Sequence, residues 1–162
     1  MKLKDTLSQT SMRWHQRAVL RKWSDIDNSD APFLVEVSSE SDEVGHASRL
    51  AARVLVEATP DMHVVSLRVA AHVNDDQLTT VQDVEVRFDF TRQHPPTDAE
   101  LAGMLRGWAM EVALGYIRGA LGDAAASVGL PPLVLDPLYT FDDADVDAII
   151  TRARAVAAAI ET

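Results

Sequence analysis

The sequence predicts an α+β chain, with a four-stranded antiparallel sheet followed by a long helix and a C-terminal helix. Two patterns carry that expectation. Up to residue 90 apolar side chains alternate with polar ones at period two, and beyond residue 97 they recur at helical spacing. Strands that precede the helices, instead of alternating with them, give α+β order.

Taken in order, residues 1–12 read as a flexible lead-in, and Arg17 to Trp23 as the first strand. Phe33 to Val37 fits either a strand or part of a long crossover. Arg53 to Glu57 forms the next strand, and Thr59-Pro60-Asp61 turns the chain. Val65, Leu67, Val69, Ala71 and Val73 alternate along a third strand, and Asn74-Asp75-Asp76 supplies turn chemistry after it. The clearest strand is Asp83 to Phe90. There Val84, Val86, Phe88 and Phe90 predict a buried face, and Asp83, Glu85, Arg87 and Asp89 a wet one.

Thr97-Asp98-Ala99-Glu100 is a capping box, because a threonine hydroxyl and a glutamate three residues on can satisfy each other's orphan N–H groups. It opens a helix with Leu101, Met104, Leu105, Trp108, Val112, Tyr116 and Ile117 along one broad stripe, and Gly129 ends it. Inside it lie Gly103, Gly107, Gly115, Gly119 and Gly122, each costing about 0.8–1 kcal/mol relative to alanine. Such residues let another backbone approach closely, either the chain's own sheet or the helix of a second copy. The last helix begins near Asp142-Asp143 and stacks Val146, Ile149, Ile150, Ala153, Ala157 and Ile160, its acidic start suiting the helix dipole.

A length of 162 residues with 47% apolar content suits one domain spanning residues 1–162. With no cysteine there is no disulfide, thiolate nucleophile or Cys-ligated metal, which fits a reducing cytoplasm. The early polar residues Asp5, Ser8 and Gln9 leave no signal-peptide core, and no segment suggests stable membrane insertion. The net charge is −10, yet residues 1–24 carry six basic side chains against Asp5 alone, a local +5 that leaves −15 for the rest. Such a body repels phosphate backbones, so no nucleic-acid partner is expected; the charge suits either a basic partner or a merely solvated surface.

Enzyme chemistry has no positive signal. No phosphate-binding glycine loop is present. His15, His46, His63, His72 and His94 are scattered without metal-ligand spacing, and Ser11, Ser66 and Ser127 lack a nucleophile elbow, so no metal, cofactor or catalytic residue is assigned. Asp42-Glu43, Asp75-Asp76 and Asp142-Asp143 read as turn and cap acids. What remains is apolar matter in excess of one sheet's needs. Leu130-Pro131-Pro132-Leu133-Val134-Leu135-Asp136-Pro137-Leu138-Tyr139 cannot be a helix or a central strand, because its prolines lack N–H groups. An extended apolar connector is either packed away or offers its side chains to a ligand.

In this order the pieces resemble the SecB family of export chaperones and the SecB-like chaperones of toxin–antitoxin systems. The resemblance runs from about Ala18 to Ile160 and rests on Asp25-Ile26 leading to Asp30-Ala31-Pro32, on Val65-Ser66-Leu67-Arg68-Val69, on Asp83-Val84-Glu85 and on Gly115-Tyr116-Ile117-Arg118. Its most specific part is Leu130 to Leu135 followed by Asp136-Pro137. It implies an ATP-independent holdase, built as a homotetramer (a dimer of dimers) with helices between paired sheets, which would explain the helix glycines. It implies that unfolded polypeptides, preproteins or a dedicated antitoxin are held in an apolar groove, here at Leu133, Leu135, Leu138, Tyr139, Phe141, Ile149 and Ile150. It also implies a contact with the SecA motor at Asp30, Val81 and Asp83. Two departures favour a chaperone over an export factor: one extra residue between Asp25 and Asp30, and Ala113-Leu114-Gly115 where the family has Phe-Pro-Tyr character. An adaptor that binds one folded partner is the alternative from another class.

Overall fold

A computed structural model of the protein describes residues 3–22, 47–58, 62–74, 76–135 and 141–160. After a 3-10 turn at Leu3–Thr6, strands β1 (Leu7–Arg21), β2 (Ala47–Ala58), β3 (His63–Asn74) and β4 (Leu78–Phe90) build one antiparallel sheet in the order β1-β4-β3-β2. Helix α1 (Asp98–Met104) continues through a π-helical turn (Leu105–Ala109) into α2 (Met110–Ser127), and α3 (Asp143–Ile160) closes the order. The α+β expectation holds: a four-stranded antiparallel sheet, a long helix and a C-terminal helix.

The alternation at period two decides which face is covered. Val65, Leu67 and Val69 of β3 and Val84, Val86, Phe88 and Phe90 of β4 are fully buried beneath the helices. Helix α2 lies over β4 and β3, and α3 lies over β2. The Trp108 ring meets Phe88 edge to face, with centroids 5.0 Å apart.

Cap chemistry sets the helix ends. At the start of α1, Glu100 N–H donates to Thr97 Oγ1 (3.2 Å) and Thr97 N–H donates to Glu100 Oε2 (2.9 Å), which completes the capping box. At the end of α2, Gly129 takes φ 73°, its N–H donates to Ala126 O and that of Leu130 to Ala125 O, a Schellman closure. The Arg21 guanidinium donates to Val128 O at 2.8 Å and ties the end of β1 to this terminus. The Asp142 carboxylate accepts from Asp145 N–H (2.7 Å) and starts α3.

Four expectations need correction. First, β1 begins at Leu7, so residues 7–12 pair with β4 and are not a flexible lead-in. A register shift between Trp14 and Gln16 leaves His15 as the extra residue, and such a bulge reverses the inward parity that a simple alternation would trace. Second, β2 starts at Ala47 and not at Arg53.

Third, Val112 and Tyr116 are not on the buried stripe, Tyr116 being 40% exposed; Ala113 and Leu114 face inward instead, beside Ile117, which is buried as expected. The intervening π turn holds one residue more than an α turn, and at about 100° per residue this rotates everything after it. Fourth, Asp83 and Asp89 are buried, Asp83 to 8% exposure, although their face of the sheet carries no helix among the described residues. Arginines cover them, as set out below. The helix glycines are also distinguished: a Cβ at Gly103, Gly107, Gly115, Gly119 or Gly122 would meet nothing within 4 Å, so the chain's own sheet does not require them.

Candidate functional site

A groove of about 380 Å³ runs between β2 and α3. Leu50 and Ala52 of β2 line one wall, Ala148 and Ile149 of α3 the other, and Phe141 stands ahead of α3. The groove exists because alanine is short: Ala51, Ala52 and Ala148 are too small to fill the space between strand and helix. Its rim is polar, with Asp145 and Arg152 on α3. β2 is also an edge strand of the sheet, pairing with β3 alone among the described strands, and an open edge leaves backbone donors and acceptors for an extended chain.

The sequence-expected groove residues separate into four groups. Phe141 and Ile149 line the groove. Leu133 and Leu135 are half-buried against the main core, while Val134 between them is 82% exposed, the alternation of an extended segment. Ile150 belongs to the core proper. Leu138 and Tyr139 lie outside the described residues, as does Asp30. Sequence reasoning missed Leu50, Ala52 and Ala148. The signal for the first two was faint but present, since Leu50, Ala52, Val54 and Val56 continue one alternation.

The other face of the sheet bears a second hollow, a broad trough of about 860 Å³ crossing all four strands from Arg13 and His15 on β1 to Arg53 on β2. Beside the trough, on the same face, Asp83 makes a two-pronged pair with the trough's Arg68, Nε to Oδ1 at 2.7 Å and Nη2 to Oδ2 at 2.5 Å. Those bonds hold the Asp83 carboxyl below its ordinary range despite its desolvation, and raise Arg68. Burial pushes Glu85 up, but His15 at 2.9 Å and Arg13 at 3.3 Å more than offset this and its pKa is lowered. Arg87 holds Asp89 at 2.8 Å. Val81, on the same face, is half-buried. The face expected to offer a free Asp83 therefore offers one already engaged by a guanidinium.

Among the described residues no group of three or more His, Asp or Glu side chains is placed to hold a metal ion, and no helix is long and apolar enough to cross a membrane.

Comparison with solved structures shows the fold. The chain is similar to the Mycobacterium tuberculosis Rv1957 SecB-like chaperone, solved in complex with a ChAD peptide from the Rv1956 HigA1 antitoxin, with a TM-score of 0.53 and 19% identity over 85% of this chain and 91% of that one. A Streptococcus agalactiae protein of unknown function matches with a TM-score of 0.48 and 4% identity, over 79% of this chain and 97% of that one. No family model matches the sequence. No curated protein matches it either.

Proposed function

We propose that this protein is an ATP-independent chaperone of the cytoplasm, a holdase that keeps extended apolar stretches of non-native polypeptide in the groove between β2 and α3. The observation that carries the reading is the juxtaposition of that apolar groove with the β2 edge, which is open among the described strands, in a SecB-like fold. Apolar side chains of the client would be buried against Leu50, Phe141 and Ile149, and its backbone would pair with the strand edge. Half-buried Leu133 and Leu135, with Leu138 and Tyr139 following them in sequence, would extend the apolar wall.

A dedicated client, of the antitoxin kind, is favoured over preproteins delivered to SecA. The Rv1957 chaperone is bound to an antitoxin peptide. Asp83, the residue with which a SecA contact was expected, is ion-paired with Arg68. The same reading includes assembly as a homotetramer through the outer face of α1 and α2, where Val112 and Tyr116 are exposed and a Cβ on the helix glycines would meet nothing among the described residues.

The test is light scattering of a chemically unfolded, aggregating protein with and without this one, in the absence of nucleotide. Suppression near stoichiometric ratio is expected. It should be lost in Ala148→Arg, which fills the groove from an exposed helix position, while circular dichroism stays unchanged. Undiminished aggregation by a folded protein would sink the general holdase and leave a single-client chaperone or a native-state adaptor.

A further inference from the structure

The trough on the helix-free face follows a pattern set by strand register. One row straight across the sheet reads Arg53, Arg68, Glu85, Arg13, and the adjacent row Leu55, Ser66, Arg87, Ser11. These eight positions hold four arginines, two hydroxyls and one carboxylate, in a chain whose net charge is −10. Arg53 faces Arg68 directly, and like charges in cross-strand register are destabilising. Arg68 and Arg87 have the carboxylates of Asp83 and Asp89, but Arg53 pairs with no carboxylate among the described residues. Nor does Arg152, which projects from α3 and lines both the trough and the apolar groove. Glu57 is the other acid in the trough, alongside Glu85, and Glu85 is held by Arg13 and His15.

We propose that the trough binds a carboxylate-rich segment that flanks the apolar stretch in the same client chain, the two parts meeting at Arg152. An extended peptide seated in the groove passes Arg152 on its way round the β2 edge and arrives at Arg53. Planar guanidinium forks match carboxylates in pairs, and an anion between Arg53 and Arg68 relieves their repulsion. The client class is thus an apolar segment followed or preceded by Asp and Glu. This inference rests on the groove reading and adds a charge requirement to it.

Fluorescence anisotropy with three labelled peptides tests it: an extended apolar peptide, the same peptide with a run of glutamates appended, and the same with a run of lysines. At low salt the acidic flank should tighten binding about tenfold, equivalent to about 1.4 kcal/mol, and the basic flank should weaken it. High salt should erase most of that gain. In Arg53→Glu combined with Arg13→Gln, two positions that line the trough and not the apolar groove, the acidic advantage should vanish while the plain apolar peptide still binds, which also reports that the variant is folded. Equal binding of all three peptides overturns the proposal and leaves the groove reading intact. So does an acidic gain that survives in the double variant, which would place the carboxylates elsewhere. Failure of the plain apolar peptide to bind sinks the groove reading itself, and a change in oligomeric state of the double variant with peptide affinities unmoved assigns the trough to a second copy.

Discussion

Asp83 and Val84 are neighbours on β4 and both are buried, yet they are buried for different reasons. Val84 points into the helix-covered face, where apolar side chains from the sheet and all three helices exclude water and the contact is non-directional. Asp83 points into the bare face, where the two-pronged Arg68 pair shields it and every contact depends on angle and charge. A covered apolar face tolerates changes of shape that conserve volume, whereas a bare ionic face tolerates few changes of partner. The difference suits a division of labour in which one face holds the fold together and the other distributes charge.

Removing the keystone of the covered face should have the largest effect. Phe88→Ala takes away the ring that Trp108 meets, and a loss of about 3–5 kcal/mol is expected in urea unfolding. Asp83→Ala breaks the bare face instead and strands the Arg68 guanidinium, with an expected loss of about 2 kcal/mol. A double-mutant cycle with Arg68→Ala should recover part of it; strict additivity would show that the pair does not act as a unit.

Acid should sharpen the contrast. The folded-state pKa values of Asp83, Glu85 and Glu100 are lowered, so their contribution is fully present above the ordinary carboxylate range and is lost as pH falls through the lowered values. Thermal unfolding followed from neutral pH downward should therefore show a steep acid limb, made shallower by Asp83→Asn and left as steep by Phe88→Leu. Thr97→Ala, which opens the capping box at the entrance to the helical cover, should cost about 1 kcal/mol. Smallest of all, Tyr116→Ala should change the stability of a dissociated chain by no more than about 0.5 kcal/mol, because Tyr116 is 40% exposed on the outer side of α2 and stands outside the core. In sedimentation the same substitution should weaken any assembly that uses the open side of α2; an unchanged oligomer would remove Tyr116 from the contact.

Much of this architecture was legible because its signals are local. Alternation over Val65–Val73 and Val84–Phe90, the Thr97 and Glu100 cap, Gly129 and Asp142 each state their conformation within a few residues. The reading failed where one inserted residue changes the phase, at His15 on β1 and in the turn at 105–109. Neither leaves a mark in composition. The groove was legible by halves for another reason. Phe141 and Ile149 announce themselves as bulky apolar residues, but a groove is equally the product of what its walls lack, and alanines such as Ala52 and Ala148 give no sign whether they fill a core or leave a gap. The buried state of Asp83 was hidden because its partner Arg68 sits on another strand, and pairing register joins them only once the sheet forms.

The turn at 105–109 makes the length of the helix as informative as its residues. Substituting Gly107 alters a position where an added Cβ meets open space and should be nearly silent. Deleting Gly107 removes a count, not a contact: if the turn then closes to ordinary α geometry, the lost residue and the tighter turn offset each other, and every later side chain keeps its direction. Ala113 and Ile117 would stay on the sheet, whereas closing the turn with all five of its residues in place would swing Val112 and Tyr116 toward it. Two chains differing by that single residue would therefore present the same surfaces to the world, so an alignment of this helix should place its gap within the turn.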